Sequence, residues 1–316
     1  MNKMRRALLL LPVCALGVGG FAQQVAQRTQ FVFDHFTINP AVAGSKDCLD
    51  IHLGYRKQWV GFAGAPTTAW ATVHGTIRPK NKPHLANRHG IGAWVEADDA
   101  GPLGYTTFSL AYAYHLQMAK DRFLSLGFFG GIKQQKLDAG EITLTDFDDP
   151  AITGSVSVMV LPNITPGIWY YDKTSFLGMS IHQLLGNPIE RIGTDSRLWR
   201  QYMLSGGKRF RISKITTVMP AALMKISPGS PMALDVNVMM EWKRMFGVGA
   251  SYRNSDAVAV MMRLSFLKYF QLGYSYDITT SRIKLDSSNT HEFILAITPC
   301  PPKDPSKMIV RCPVFE

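Results

Sequence analysis

Serines, histidines and carboxylates are the side chains of this 316-residue chain whose types could do chemistry. Hydrolysis needs a serine or aspartate with a base within about 3 Å to take or steer its proton. Ser109, Ser180 and Ser275, with His115, His182 and His291, supply the residue types. No nucleophile-elbow spacing accompanies them, and eight histidines scattered over the chain make chance pairs easy. The run Asp146-Phe147-Asp148-Asp149 offers oxygen ligands for a divalent cation, but without the spacing of a calcium loop it reads as a solvated turn. No Cys/His set has zinc spacing, and no glycine-rich phosphate loop joins a strand to a helix. The residues therefore assign no catalytic group, no metal and no cofactor, and the chain reads as a non-enzyme.

The elements that must position these residues are strands. Hydrophobic residues alternate with small or polar ones over fourteen segments, at about 48–56, 67–77, 90–98, 104–117, 122–133, 165–172, 175–184, 199–209, 214–226, 232–242, 246–253, 257–266, 269–277 and 290–298. In the fourth, Phe108, Leu110, Tyr112, Tyr114 and Leu116 form one face, and Ser109, Ala111, Ala113 and His115 the other. Apolar-out and polar-in at this length is the pattern of a transmembrane β-barrel. The sequence thus predicts an all-β, antiparallel barrel of about 14 strands over residues 48–298. Within it Arg56, opposite in phase to Tyr55, should face the lumen and pair with a carboxylate such as Asp235, Asp277 or Glu292. A structural ion pair is the simpler reading there than a substrate contact.

The compartment follows from the amino-terminal segment. Lys3, Arg5 and Arg6 precede an apolar stretch, and Gly20-Phe21-Ala22 makes a small-x-small cleavage site, so residues 1–22 read as a removed signal peptide. Beyond it no window holds 18 consecutive apolar residues, which excludes a helical membrane protein. Charged residues are 18% of the chain, below the roughly 25% of soluble domains, as suits a surface facing lipid. The net charge of +11 falls to +8 without the three leader cations, and nucleic acid is not the partner of an exported protein. Cys300 and Cys312 lie in a proline-rich tail at 299–316, placed on the periplasmic side, and could form a disulfide there.

Connection lengths alternate between short and long, as periplasmic turns and outer loops do in such barrels. Long connections at 134–164, 185–198 and 278–289 fall outside; 78–89 is a long periplasmic exception. The periplasmic ends carry cations, among them Lys80, Arg88, Lys208, Arg209, Lys243 and Arg244, which either meet lipid phosphates or face an acidic partner. Residues 23–47 are rich in turn formers and form either a clasp at the periplasmic mouth or a plug partway inside.

Several blocks are specific enough to name a family. Asn39-Pro40-Ala41-Val42-Ala43-Gly44 and Tyr55-Arg56-Lys57-Gln58-Trp59-Val60-Gly61-Phe62-Ala63-Gly64-Ala65-Pro66 resemble the signature of the PorP/SprF family of Bacteroidetes outer-membrane proteins. Tyr276-Asp277 and His291-Glu292 continue the resemblance, which covers about 29–298. It implies a non-enzymatic outer-membrane component of type IX protein secretion that contacts a periplasmic ring lipoprotein and a peptidoglycan-binding lipoprotein. Export or display of a specific gliding-motility adhesin, or a passive transport pore, are the alternatives.

Overall fold

The structure is a computed structural model that describes residues 25–46, 48–77, 87–138, 140, 156–189, 196–228, 230–254, 256–267, 269–281 and 289–299. Its strands are β1 (Asp50–Lys57), β2 (Thr67–Ile77), β3 (Arg88–Ala100), β4 (Leu103–Ala119), β5 (Arg122–Asp138), β6 (Val156–Tyr171), β7 (Ser175–His182), β8 (Gln201–Lys208), β9 (Phe210–Arg211), β10 (Thr216–Ile226), β11 (Ala233–Trp242), β12 (Phe246–Arg253), β13 (Ala257–Phe266), β14 (Phe270–Thr279) and β15 (Thr290–Ile297). Neighbours pair antiparallel throughout, and β15 returns to β1 with Ile51 opposite Ile297, so the sheet closes and leaves no edge. β8 and β9 are two pieces of one stave, because both face β10 in the same register, Gly207 opposite Ala221 and Phe210 opposite Val218. The break falls opposite Pro220, which brings no N–H to the ladder. The barrel therefore has fourteen staves.

Period-two patterning fixes which side each residue takes. On β13, Val258, Val260, Met262 and Leu264 face outward, while Ala257, Ala259 and Met261 are buried inward. By the rule that periplasmic turns are short, the periplasmic end carries the connections at 120–121, 172–174, 212–215, 243–245 and 267–269. The β2–β3 connection lies at the same end, with Ile77 opposite His89 and β2 paired directly with β3, so the alternation survives that exception.

Strand boundaries depart most from the sequence expectation at the β5–β6 connection. The supposed loop at 134–164 is strand at both of its ends: β5 runs on to Asp138, and β6 begins at Val156 with Asp138 opposite Val156. Of the two prolines of β6, Pro162 lies in the expected loop and Pro166 in the expected strand 165–172. Both sit in β6 where its ladder to β7 has ended, since that pairing covers only Gly167 to Tyr171. A proline there costs no ladder bond.

Inside the barrel lies the chain's own segment 27–46, every residue of which except Gln27 is buried. Phe31, Phe36, Ile38 and Val42 pack against Trp94 of β3, Phe129 of β5, Trp169 of β6 and Phe176 of β7. On the opposite wall Phe33 packs with Trp70 and Ile294. The lumen is thus filled at this level by side chains from an inner segment and from walls on both sides.

Candidate functional site

The candidate site is this filled lumen and the contacts that seat the plug. A single 3-10 turn, Pro40–Val42, is its regular structure. Asn39 caps that turn, accepting from the Ala41 N–H at 3.0 Å, and its amide donates to the Ile168 carbonyl at 2.9 Å and the Met179 carbonyl at 3.1 Å. One side chain thereby closes the turn and ties it to β6 and β7. Wall glycines let the plug backbone come close. A Cβ on Gly127 would stand 2.7 Å from the Ala41 Cα, and one on Gly90 would overlap the Ala43 carbonyl. Gly44, at φ +70°, takes a conformation that glycine adopts freely, with Gly90 against it.

The outer third of the lumen holds a charge network centred on Thr29. Arg56 donates to Glu292 at 2.8 Å and to Asp277 at 2.9 Å, and also to the Thr29 hydroxyl at 2.8 Å. That hydroxyl donates to Asp277 at 2.5 Å and accepts again from Arg253 at 3.1 Å, so its donor and both lone pairs are used. Backbone N–H groups of Thr29 and Gln30 each donate to Glu292 at 2.9 Å, and Asn237 donates to the Thr29 carbonyl at 2.9 Å. Asp235 does not reach Arg56, contrary to one sequence option. It binds Arg253 at 3.0 Å and Lys225 at 2.9 Å instead. Three cations, Arg56, Arg253 and Lys225, so meet three buried carboxylates, Asp235, Asp277 and Glu292, and Arg253 also binds the half-buried Asp256 at 2.9 Å. Buried charge is tolerable only with that degree of pairing.

Further contacts seat the plug at other levels. Arg28 binds Glu96 and stacks over Trp70, its guanidinium carbon 4.7 Å from the ring centre. Asp34 accepts from the Trp70 indole at 3.1 Å, and toward the periplasmic end Lys46 pairs with Asp50 at 2.8 Å. There His115 donates to the Ala43 carbonyl at 2.7 Å and accepts from the Tyr171 hydroxyl at 3.0 Å, which in turn accepts from Arg88 at 2.6 Å.

The sequence-derived residues divide by face. Asn39, Pro40, Gly44, Arg56, Asp277 and Glu292 all belong to the plug or its seat. Tyr55, Tyr276 and His291 point outward, with the His291 ring 2.9 Å from the Tyr274 hydroxyl. Gln58, Trp59, Gly61, Gly64 and Pro66 form the first outer hairpin, where the Gln58 N–H reaches the Pro66 carbonyl at 2.9 Å and Trp59 donates to Thr290 at 3.1 Å. His182 and Ser180 both donate to the Ile38 carbonyl at 2.7 Å rather than to each other, so this serine and histidine serve the plug. Ser275 donates to Asp277 at 3.2 Å.

Arg88 requires a correction. It was expected at the periplasmic surface but is buried in the lumen, donating to the Ser45 carbonyl and to Tyr171, because β3 starts earlier than its alternation suggested. Lys208 and Lys243 are exposed at the periplasmic end, while Arg209 and Arg244 are half-buried there. Lys80, the acidic run at 146–149, Cys300, Cys312 and residues 1–22 lie outside the described residues. The plug residues Arg28, Thr29, Gln30 and Asp34 carry much of the seat and were not singled out from sequence. Their signal was a density of aromatics in 31–36 too high for a linker.

A closed fourteen-stave barrel with a lipid-facing apolar surface and a self-filled lumen defines an outer-membrane β-barrel protein. The chain belongs to the PorP/SprF family, described as type IX secretion system membrane proteins, whose profile matches residues 20–297. No curated protein matches it. Among solved structures it is similar to the CymD monoaromatic hydrocarbon channel (10% identity, TM-score 0.47, covering 89% of this chain and 94% of that one). It is similar too to a Pseudomonas aeruginosa FadL homologue (10%, 0.44, 87% and 94%) and to Omp33 of Acinetobacter baumannii (9%, 0.43, 81% and 99%).

Proposed function

We propose that this protein is a non-enzymatic scaffold of the type IX secretion system in the outer membrane. Its periplasmic end contacts the ring lipoprotein and the peptidoglycan-binding lipoprotein that support export of surface proteins. The family supplies the system, and one observation supports the scaffold role over a pore: the lumen is filled by residues 27–46, latched by the Arg56, Asp277 and Glu292 network. A filled barrel offers its rims and loops to partners, not a path through its centre.

Affinity purification of the tagged protein from gently solubilised outer membranes, with mass spectrometry of what accompanies it, tests this reading. Co-recovery of both lipoproteins is the expected result. Recovery of one large surface adhesin alone would replace the general role with export or display of that gliding adhesin. A barrel recovered without partners, and conducting in planar bilayers, would overturn the scaffold and restore the passive pore.

A further inference from the structure

The periplasmic rim is not uniform. Three successive turns, at 212–215, 243–245 and 267–269, stand side by side: the Lys243 N–H reaches the Ile215 carbonyl at 2.7 Å, and the Ser265 N–H reaches the Met245 carbonyl at 2.7 Å. Each tip presents a large apolar side chain to solvent. Leu267 at 73% and Ile212 at 67% are the two most exposed large apolar residues described, above anything on the lipid-facing strands, and Met245 reaches 59%.

Their height relative to the bilayer decides what covers them. Phe210, Trp242, Phe246, Phe266 and Phe270 ring the same sector on the outward face, with Trp242 and Phe246 stacked at 6.0 Å and Phe266 and Phe270 at 5.7 Å. Aromatic girdles mark the membrane interface. The apolar tips lie on the water side of this girdle, where lipid tails do not reach.

Charge gives the chemistry of the cover. Lys208, Arg211, Lys214 and Lys243 are exposed, Arg244 is half-exposed beside them, and the sequence of these turns contains no Asp or Glu. Glu241, beside the Lys243-Arg244 turn in sequence, is buried and held by Arg263 at 2.9 Å. At the 120–121 and 172–174 turns, by contrast, Lys173 binds Asp121 at 2.6 Å. The Lys243-Arg244 turn has both central residues at positive φ, 49° and 55°, where Asn-Gly is the unstrained choice. Backbone strain retained to display two cations points to a use for them.

From this we infer that the ridge formed by these three turns is a docking surface for a periplasmic protein whose complementary face is acidic around an apolar groove. It rests on the scaffold reading and deepens it by naming the surface. The tips would fill the groove while the cations steer and orient the encounter.

The test uses the full chain in nanodiscs of zwitterionic lipid and measures binding of the purified ring lipoprotein and peptidoglycan-binding lipoprotein. Two ridge variants, Lys243→Glu with Arg244→Glu and Met245→Ser with Leu267→Ser, are compared with Lys120→Glu with Arg122→Glu on a distant turn. The ridge variants should weaken binding about tenfold or more, with the charge variant's loss shrinking in high salt, and the distant variant should bind as the parent does. Equal binding by ridge variants and parent would overturn the ridge and leave the scaffold standing. If the parent binds neither lipoprotein, the scaffold reading fails, and photo-crosslinking from position 245 in cells decides the ridge separately. A crosslink to an acidic periplasmic protein, lost in the charge variant, sustains it. Crosslinks to lipid or to the chain's own residues 299–316 alone would overturn it.

Discussion

Arg56 and Asp277 meet at 2.9 Å although a whole stave, β15, separates their strands. The guanidinium reaches across the face of β15 because Glu292, on that strand, takes its other nitrogen at 2.8 Å. Three neighbouring staves at the seam where the barrel closes are therefore tied by one planar cation, and Thr29 of the plug occupies the same knot.

Removing that cation strands two buried carboxylates. Arg56→Met should lower stability by about 3–5 kcal/mol, and neutralising both partners as Asp277→Asn with Glu292→Gln in the same chain should recover part of the loss. Thermal unfolding of the purified barrel in detergent measures both. A cysteine placed at Val32, buried in the parent, should gain reactivity toward a polar maleimide in Arg56→Met. Unchanged melting and unchanged labelling together would show that the network does not hold the plug.

Close approach makes a second prediction, with its own control. A Cβ on Gly90 would overlap the Ala43 carbonyl, whereas one on Gly75 meets its nearest neighbour, Leu49, at an ordinary 3.5 Å. Gly90→Ala should therefore destabilise by about 1–3 kcal/mol through overpacking, and Gly75→Ala should be close to neutral. The two glycines sit on the paired strands β2 and β3, Gly75 opposite Ile91 and Gly90 opposite Thr76, so a generic strand effect predicts equal changes. Equal melting temperatures would refute plug contact as the cause.

Asn39 can be dissected by exchanging one atom. Asn39→Asp keeps the oxygen that caps Pro40–Val42 but loses the donors to Ile168 and Met179; Asn39→Ala loses both functions. Each variant should cost about 1–3 kcal/mol for wall carbonyls left without their donor, with a further roughly 1 kcal/mol in Asn39→Ala for the cap. Hydrogen exchange of the Ala41 amide separates the two. It should stay protected in Asn39→Asp and lose protection in Asn39→Ala, and equal exchange in both would contradict the cap.

At the periplasmic end, Asp172 governs its own turn. Burial alone would raise its carboxyl, but hydrogen bonds from the backbone and hydroxyl groups of Thr174 and Ser175 outweigh that and hold it below the ordinary value of 3.8. Because the folded value is the lower one, the turn's contribution to stability is complete above the unfolded carboxyl's pKa. It is lost as pH falls through the folded value. The Thr174 and Ser175 amide shifts, followed by NMR down the acid range, should titrate below 3.8 and lose that titration in Asp172→Asn. A midpoint at or above the ordinary value would refute the arrangement.

Period-two alternation made the staves legible, because each outward Val, Met or Phe must meet lipid while its neighbours meet the lumen. Arg56 was legible for the same reason, from its phase opposite Tyr55. Alternation fails where the backbone chemistry is unusual: Pro162 hid the first half of β6, and Arg88 looked like a surface cation beside a polar connection. The plug was harder still. Its residues are buried by walls that lie far away in sequence, so segment 27–46 has no period of its own to read. Thr29 shows the limit most plainly, since nothing local marks a threonine whose partners are Arg56, Asp277 and Arg253.

The reach of those partners has a consequence for biogenesis. The Thr29 N–H and the Glu292 carboxylate are 263 positions apart, so the earliest described segment of the chain waits for the last described strand before its knot can tighten. Contacts at such separation form late, because chain closure must precede their reward. Seating of the inner segment is accordingly coupled to completion of the seam between β15 and β1, and an insertion intermediate that stalls short of β15 carries an unsatisfied, protease-sensitive interior that distinguishes it from the finished wall.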